Sequence, residues 1–93
     1  MTNIINSARN TTDPSALALA ALGWLLGDGE RGQRFLDLTG LTPESLRGAI
    51  GDISTHRAVF DFLESHEPDL IAAADALNVP PQVLARAAQE LGR

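Results

Sequence analysis

The chain contains no cysteine and no lysine, and only four of its 93 residues are aromatic. Without cysteine there is no disulfide, no thiolate metal site and no cysteine nucleophile, so we expect a protein of the reducing cytoplasm. All seven cations are arginines, scattered along the sequence against 12 carboxylates. Because nucleic acids and anionic membranes are bound by clustered cations, the net charge of −5 disfavours both as partners.

Long apolar stretches are also missing. The longest apolar run, residues 16–26, is shorter than the roughly 20 residues needed to cross a bilayer. The first residues lack the basic segment and long apolar core of an export signal. The two most abundant residues are instead alanine and leucine, which, like arginine, glutamate and glutamine, favour helix over strand. We therefore predict an all-α protein with no membrane segment.

Start and stop signals divide the chain into a polar leader, residues 1–12, which we expect to be disordered, and one helical domain, residues 13–93. Asp13-Pro14 is typical of a helix start, with a capping carboxylate and a proline in the first turn. Gly40 and Asn78 suit the left-handed conformation that closes a helix, and Thr42 can cap the next one. The prediction is a compact orthogonal bundle of about six short helices, at residues 14–26, 30–39, 43–50, 53–65, 68–77 and 81–91.

The two halves of the domain resemble each other when residue i is placed on residue i+38. Leu22 then falls on Phe60, Trp24 on Phe62 and Pro43 on Pro81, which indicates two degenerate three-helix repeats. The second and fifth helices match poorly. The alternative interpretation is that any helical chain rich in leucine and alanine aligns passably with itself.

The predicted first helix, residues 14–26, carries no charged side chain. Apolar residues surround it on nearly every side, which is typical of a helix that is buried all round. One interpretation is that it forms the central post of the monomer. The other is that a strip consisting of Leu19, Leu22, Trp24 and Leu26 remains exposed and binds a second copy of the chain or an apolar segment of another protein.

Several segments together resemble a family of short, all-helical proteobacterial proteins classed as a domain of unknown function. These segments are Asp13-Pro14-Ser15-Ala16-Leu17-Ala18-Leu19, Trp24-Leu25, Phe35-Leu36, Thr39-Gly40-Leu41, Pro43 and Phe62-Leu63. The resemblance covers about residues 13–91. It implies a complete bacterial protein rather than a fragment of an enzyme, and it carries no activity, cofactor or catalytic residue.

One corner of the chain has the spacing of a DNA-binding motif. The spacing of Leu36, Gly40 and Leu46 is that of a DNA-reading helix-turn-helix, which would use Arg47 and, on the corresponding helix of the second half, Arg86. We expect Arg31 and Arg34, on the second helix, to point largely outward. So few cations make a repeated packing corner the better interpretation, and a DNA-binding regulator is kept as the alternative function.

Metal and catalytic chemistry find little support in the sequence. Asp52 and His56 share a helical face, but nothing fixes His66, Glu67 or Asp69 beside them as further ligands. No hydrolase motif is present, and an enzyme would need Asp52, His56 and His66 in one polar pocket. We therefore predict no catalytic residue, no metal and no cofactor. The predicted function is a non-enzymatic interaction module that binds a protein partner or a second copy of itself.

Overall fold

The computed structural model describes residues 13–92, and this part of the chain forms six helices and no strand. The helices are α1 (Pro14–Leu26), α2 (Gly29–Thr39), α3 (Pro43–Ala49), α4 (Ile53–Glu64), α5 (Glu67–Ala76) and α6 (Pro81–Leu91). The predicted all-α bundle is confirmed, and the helix ends lie close to those predicted. The leader predicted at residues 1–12 lies outside the described residues.

Local capping chemistry explains where the helices begin. The Asp13 carboxylate accepts a hydrogen bond of 3.1 Å from the backbone N–H of Ala16, which caps α1. Thr42 and Ser45 form a reciprocal capping box at α3, since each side-chain oxygen accepts the other residue's backbone N–H, at 3.1 and 2.8 Å. Both predictions of a capping residue at these positions are confirmed.

The two predicted left-handed corners are present. Gly40 has φ 76° and Asn78 has φ 59°, and within residues 13–92 these two residues alone have positive φ. Each closes the corner after the second helix of its half of the chain, at equivalent positions of the proposed repeat. Glycine and asparagine are the residues that tolerate this conformation best.

The helical arrangement supports two three-helix repeats, with a difference at the third helix. Helices α1, α2 and α3 begin at residues 14, 29 and 43, whereas α4, α5 and α6 begin at 53, 67 and 81. In the second repeat, α6 packs closely on α4, α5 and α1. In the first, α3 has 7 residues against the 11 of α6 and does not pack closely along any other helix.

The core lies where α1, α4 and α6 meet, with α2 and α5 packed against them. It is built from leucine, alanine, valine and phenylalanine, and its largest fully buried side chains are Phe35, Phe60, Leu22, Leu25, Leu63, Leu84 and Val59. Because α1 supplies core residues to four neighbouring helices, its position is fixed on one side by the rest of the bundle.

Adjacent residues of α4 hold the ends of the third helices of both repeats. His56 Nε2 donates to the carbonyl oxygen of Ile50, just after α3, at 2.9 Å. Arg57 Nε donates to the carbonyl oxygen of Leu91, the last residue of α6, at 2.7 Å. The last carbonyl groups of a helix have no hydrogen-bond donor within the helix, so these two side chains supply the missing donors.

Candidate partner-binding face

One side of α1 is open to solvent and carries no charge. Its residues are Leu19, Ala20, Gly23 and Leu26, which we call the outer face, and all four are exposed. Leu19 and Leu26 are each 41% exposed. Seven residues separate these leucines, which is close to two helical turns, so they lie on the same side about 10 Å apart along the axis. The prediction that this helix is buried all round is therefore wrong.

The opposite side of α1 belongs to the core. Leu17, Ala18, Ala21, Leu22 and Leu25 are almost completely buried, and their spacing follows the 3.6-residue period of one helical side. Leu22 is only 1% exposed, so it lies in the core and is not part of any surface strip. Its place in the predicted strip is corrected for this reason.

Trp24 lies beside the outer face rather than on it. Its side chain is partly buried, and the guanidinium carbon of Arg31 lies over the indole, 4.1 Å from the ring centroid. Such a cation–π contact is worth about 0.5–1 kcal/mol at a partly exposed site. The structure therefore places Leu19 and Leu26 together on an open surface and gives Trp24 a partner within the same chain.

Gly23 occupies the centre of the outer face, in the interior of α1. A Cβ atom at this position would meet no heavy atom within 4 Å. A glycine inside a helix costs roughly 0.5–1 kcal/mol relative to alanine. Nothing in the packing of the chain itself requires the smaller residue here.

Three of the four residues of the outer face have charged counterparts in the second repeat, whereas the fourth, Ala20, corresponds to the half-buried Ala58. Residue i+38 places the exposed residues Leu19, Gly23 and Leu26 of α1 on the exposed residues Arg57, Asp61 and Glu64 of α4. The same place in the same architecture thus accepts three charged side chains in one repeat. The three residues of α1 and their counterparts in α4 are all exposed, but only those of α4 are charged. The fold therefore does not require apolar residues at these positions of α1.

A buried carboxylate joins α1, α2, α4 and α5 beside this face. The Asp69 side chain is 9% exposed and binds two arginines: Arg31 Nε donates to its Oδ1 at 3.2 Å, and Arg34 Nη2 donates to its Oδ2. Arg34 also lies 5.2 Å from the centroid of the Phe62 ring. The prediction that Arg31 points largely outward is wrong, since its side chain is 25% exposed and bound to Asp69. Arg34 is exposed as predicted, with 49% of its side chain accessible, although it also donates to Asp69.

Sequence reasoning missed this cluster although one signal for it was available. Arg31 and Asp69 are 38 positions apart, so they occupy equivalent places in the two repeats. Equivalent positions of two repeats can lie close together where the repeats pack on each other, so a cation and an anion at such positions can form an ion pair. The arginine pairing also removes Asp69 from the group of side chains considered as metal ligands.

The remaining candidate ligands lie apart from one another. His56 is buried and bound to the carbonyl oxygen of Ile50, while Asp52 and His66 are exposed at the starts of α4 and α5. Within residues 13–92, no three histidine, aspartate or glutamate side chains come together as a metal site would require. In the same range, no helix combines the length and apolar character needed to span a membrane.

The positions considered for DNA contact are both on the surface. Arg47 on α3 and Arg86 on α6 are exposed, and Arg86 lines a shallow groove together with Val83 and Glu90. Glu44 shares the seven-residue α3 with Arg47. Each of the two exposed arginines thus has a carboxylate nearby on its own helix.

A second apolar surface lies between α2 and α4. An open groove of about 400 Å³ is lined by Leu38, Thr39, Ala58, Asp61, Phe62 and Ser65. Leu38 is 69% exposed there. Unlike the outer face, this groove has a carboxylate, Asp61, in its wall.

These features define the class of the protein: a small all-α bundle with an uncharged helix that is buried on one side and open on the other. Residues 11–93 match the family described as "Protein of unknown function (DUF3572)", and the chain belongs to that family. No curated protein and no solved structure matches the chain.

Proposed function

We propose that this protein is a non-enzymatic interaction module of the cytoplasm and that the outer face of α1 binds a protein partner. The observation that carries the proposal is the contrast between the repeats. Leu19, Gly23 and Leu26 are apolar where the equivalent exposed residues of α4 are all charged. An apolar surface that the fold does not require is typical of a surface that is covered in a complex.

The physical driving force would be burial of the exposed parts of Leu19 and Leu26. Removing apolar area from water stabilises a complex by about 25 cal/mol per Å². No charged side chain of α1 has to be desolvated in the process, because the helix has none. Gly23 would let a partner approach the α1 backbone closely, since no atom of the chain occupies the space beside it.

The size of the face favours weak and reversible binding. A helix of 13 residues is about 20 Å long. One side of such a helix is smaller than the roughly 800 Å² per partner of a standard stable interface. We therefore expect dissociation constants in the micromolar range rather than a permanent complex.

Site-specific photocrosslinking tests the proposal. A benzophenone side chain is placed at Ala20, on the outer face, or at Ala72, another exposed alanine, on α5. The protein is then irradiated in a lysate of its native cells. We expect a discrete adduct from position 20 that position 72 does not give. Because binding depends on the two leucines, Leu19→Gln together with Leu26→Gln should remove the adduct.

Ile71→Gln is the matched control, because Ile71 is 50% exposed on α5 and lies outside the outer face. It should leave the adduct from position 20 unchanged. The same adducts from both positions, or none from position 20, would contradict the proposal. An adduct that still forms after the two leucine substitutions would also contradict the proposal.

A further inference from the structure

Resting on the proposed function, we infer that the occupant of the outer face is a cationic amphipathic α-helix of another protein, with basic residues near both ends of its apolar stripe. The inference comes from the charges that bracket the outer face and from the way in which the second repeat fills the equivalent place.

Exposed carboxylates mark both ends of α1. Asp13 caps its first turn, and Asp28 follows its last residue by two positions and caps α2. Each uses Oδ2 to accept a backbone N–H, at 3.1 Å from Ala16 and 2.8 Å from Arg31. A carboxylate has about four acceptor sites, so both can take a further hydrogen bond from a lysine or arginine.

The C-terminal end of α1 is the more electronegative of the two. The last carbonyls of a helix carry a partial negative charge, and α1 has no basic residue in its last turn to offset it. Arg31 lies nearby over Trp24, but its charge is paired with Asp69. A cation supplied by the partner would therefore be stabilised by both Asp28 and the end of the helix.

The second repeat indicates that the occupant is a helix. There, Arg57, Asp61 and Glu64 of α4 form one wall of a groove whose other wall is the C-terminal end of α6, at Ala88, Gln89 and Gly92. In the first repeat, α3 stops after 7 residues and the chain turns into α4, whereas α6 continues to 11. Whereas α6 packs closely on α4, α3 does not pack closely along α1, so we infer that a helix of another protein takes the corresponding place beside the outer face.

Charge argues against a second copy of this chain as the occupant. Each copy carries a net charge of −5, and pairing two α1 helices would bring Asp13 and Asp28 of both copies together. Like charges at close range are unfavourable unless neutralised. A helix with cations about 20 Å apart would instead place one near each carboxylate, because that distance equals the length of α1.

Two designed 20-residue helical peptides test the inference. They share the same leucine and alanine stripe and differ only in carrying lysines or glutamates near both ends. Each is titrated into the isotope-labelled full-length protein while the backbone amide signals are followed by NMR. We expect the lysine peptide to shift signals of the outer face and to bind at least about tenfold more tightly, an advantage that high salt reduces.

Substitution of the carboxylates gives the sharper readout. Asp13→Asn with Asp28→Asn removes both charges but keeps residues that cap a helix equally well. This pair should abolish most of the preference for the lysine peptide. Asp61→Asn with Asp75→Asn, which changes the net charge equally at exposed positions elsewhere, should leave it intact.

The outcomes separate this inference from the proposed function. Equal binding of both peptides at the outer face overturns the assignment of a cationic partner and leaves the proposed function standing. Binding of the lysine peptide in the Leu38 groove, or binding of neither peptide, also overturns the inference, and the crosslinking result then decides the proposed function by itself. Concentration-dependent self-association through the outer face would identify a second copy and overturn the cationic partner.

Discussion

At the scale of single residues, Gly23 and Gly40 show that two glycines with equally open surroundings are used for different reasons. Neither would bring a Cβ atom within 4 Å of another group. Gly40 has φ 76° and closes a helix, whereas Gly23 lies in regular helix with no such backbone requirement. The space beside Gly23 is therefore available to a partner without any conformational role for the glycine.

We predict that Gly23→Ala raises the free energy of unfolding by about 0.5–1 kcal/mol, because alanine loses less conformational freedom in a helix. Gly40→Ala should lower it by roughly 1–2 kcal/mol, since a side chain is strained at positive φ. Urea denaturation followed by circular dichroism measures both values. A destabilised Gly23→Ala variant would show that the monomer itself needs the glycine.

Asp69 binds Arg31 and Arg34, and each of these arginines also contacts an aromatic ring. We expect Asp69→Asn to lower the free energy of unfolding by about 1.5–3 kcal/mol, as hydrogen bonds to a charged group of this kind contribute. Asp75→Asn on the same helix is the matched control, because Asp75 is exposed and should change stability by less than about 0.5 kcal/mol. Equal effects of the two substitutions on the free energy of unfolding would show that Asp69 has no special structural role.

At the scale of helices, local chemistry fixed most of what could be predicted. The helix boundaries and corners could be predicted from short stretches, because they depend on local interactions. Caps form at Asp13 and Thr42, and the left-handed backbone conformation occurs at Gly40 and Asn78. The sequence did not indicate which side of α1 is buried and which is exposed. Since every side of that helix is apolar, no periodicity in the sequence distinguishes buried Leu22 from exposed Leu19 and Leu26.

The cap of α1 is the element whose loss is easiest to measure. Asp13→Ala should cost about 1 kcal/mol of stability, because the N–H of Ala16 loses its acceptor, whereas Asp13→Asn should cost only a few tenths. Thermal unfolding of the three proteins makes the comparison. An asparagine variant as unstable as the alanine variant would mean that charge, not the hydrogen bond, stabilises this helix end.

At the scale of the whole molecule, α1 and α4 lie at the centre of the bundle, and the two proposed repeats differ from each other. The short α3 and the uncharged outer face both belong to the first repeat. The pairing of Arg31 and Arg34 with Asp69 depends on how α2 meets α5, which sequence spacing along a single helix does not reveal. Tertiary contacts of this kind account for what the sequence left unpredicted.

The most direct test of the central claim transfers the charged residues of α4 to the equivalent positions of α1, as Leu19→Arg, Gly23→Asp and Leu26→Glu in one protein. If the apolar outer face serves binding and not folding, this protein keeps its helical circular dichroism spectrum. Its free energy of unfolding should fall by no more than about 2 kcal/mol, compared with about 2–5 kcal/mol for the single core substitution Leu22→Ala. The photocrosslinked adduct from position 20 should disappear. An unfolded triple variant, or a folded one that still forms the adduct, would contradict the claim.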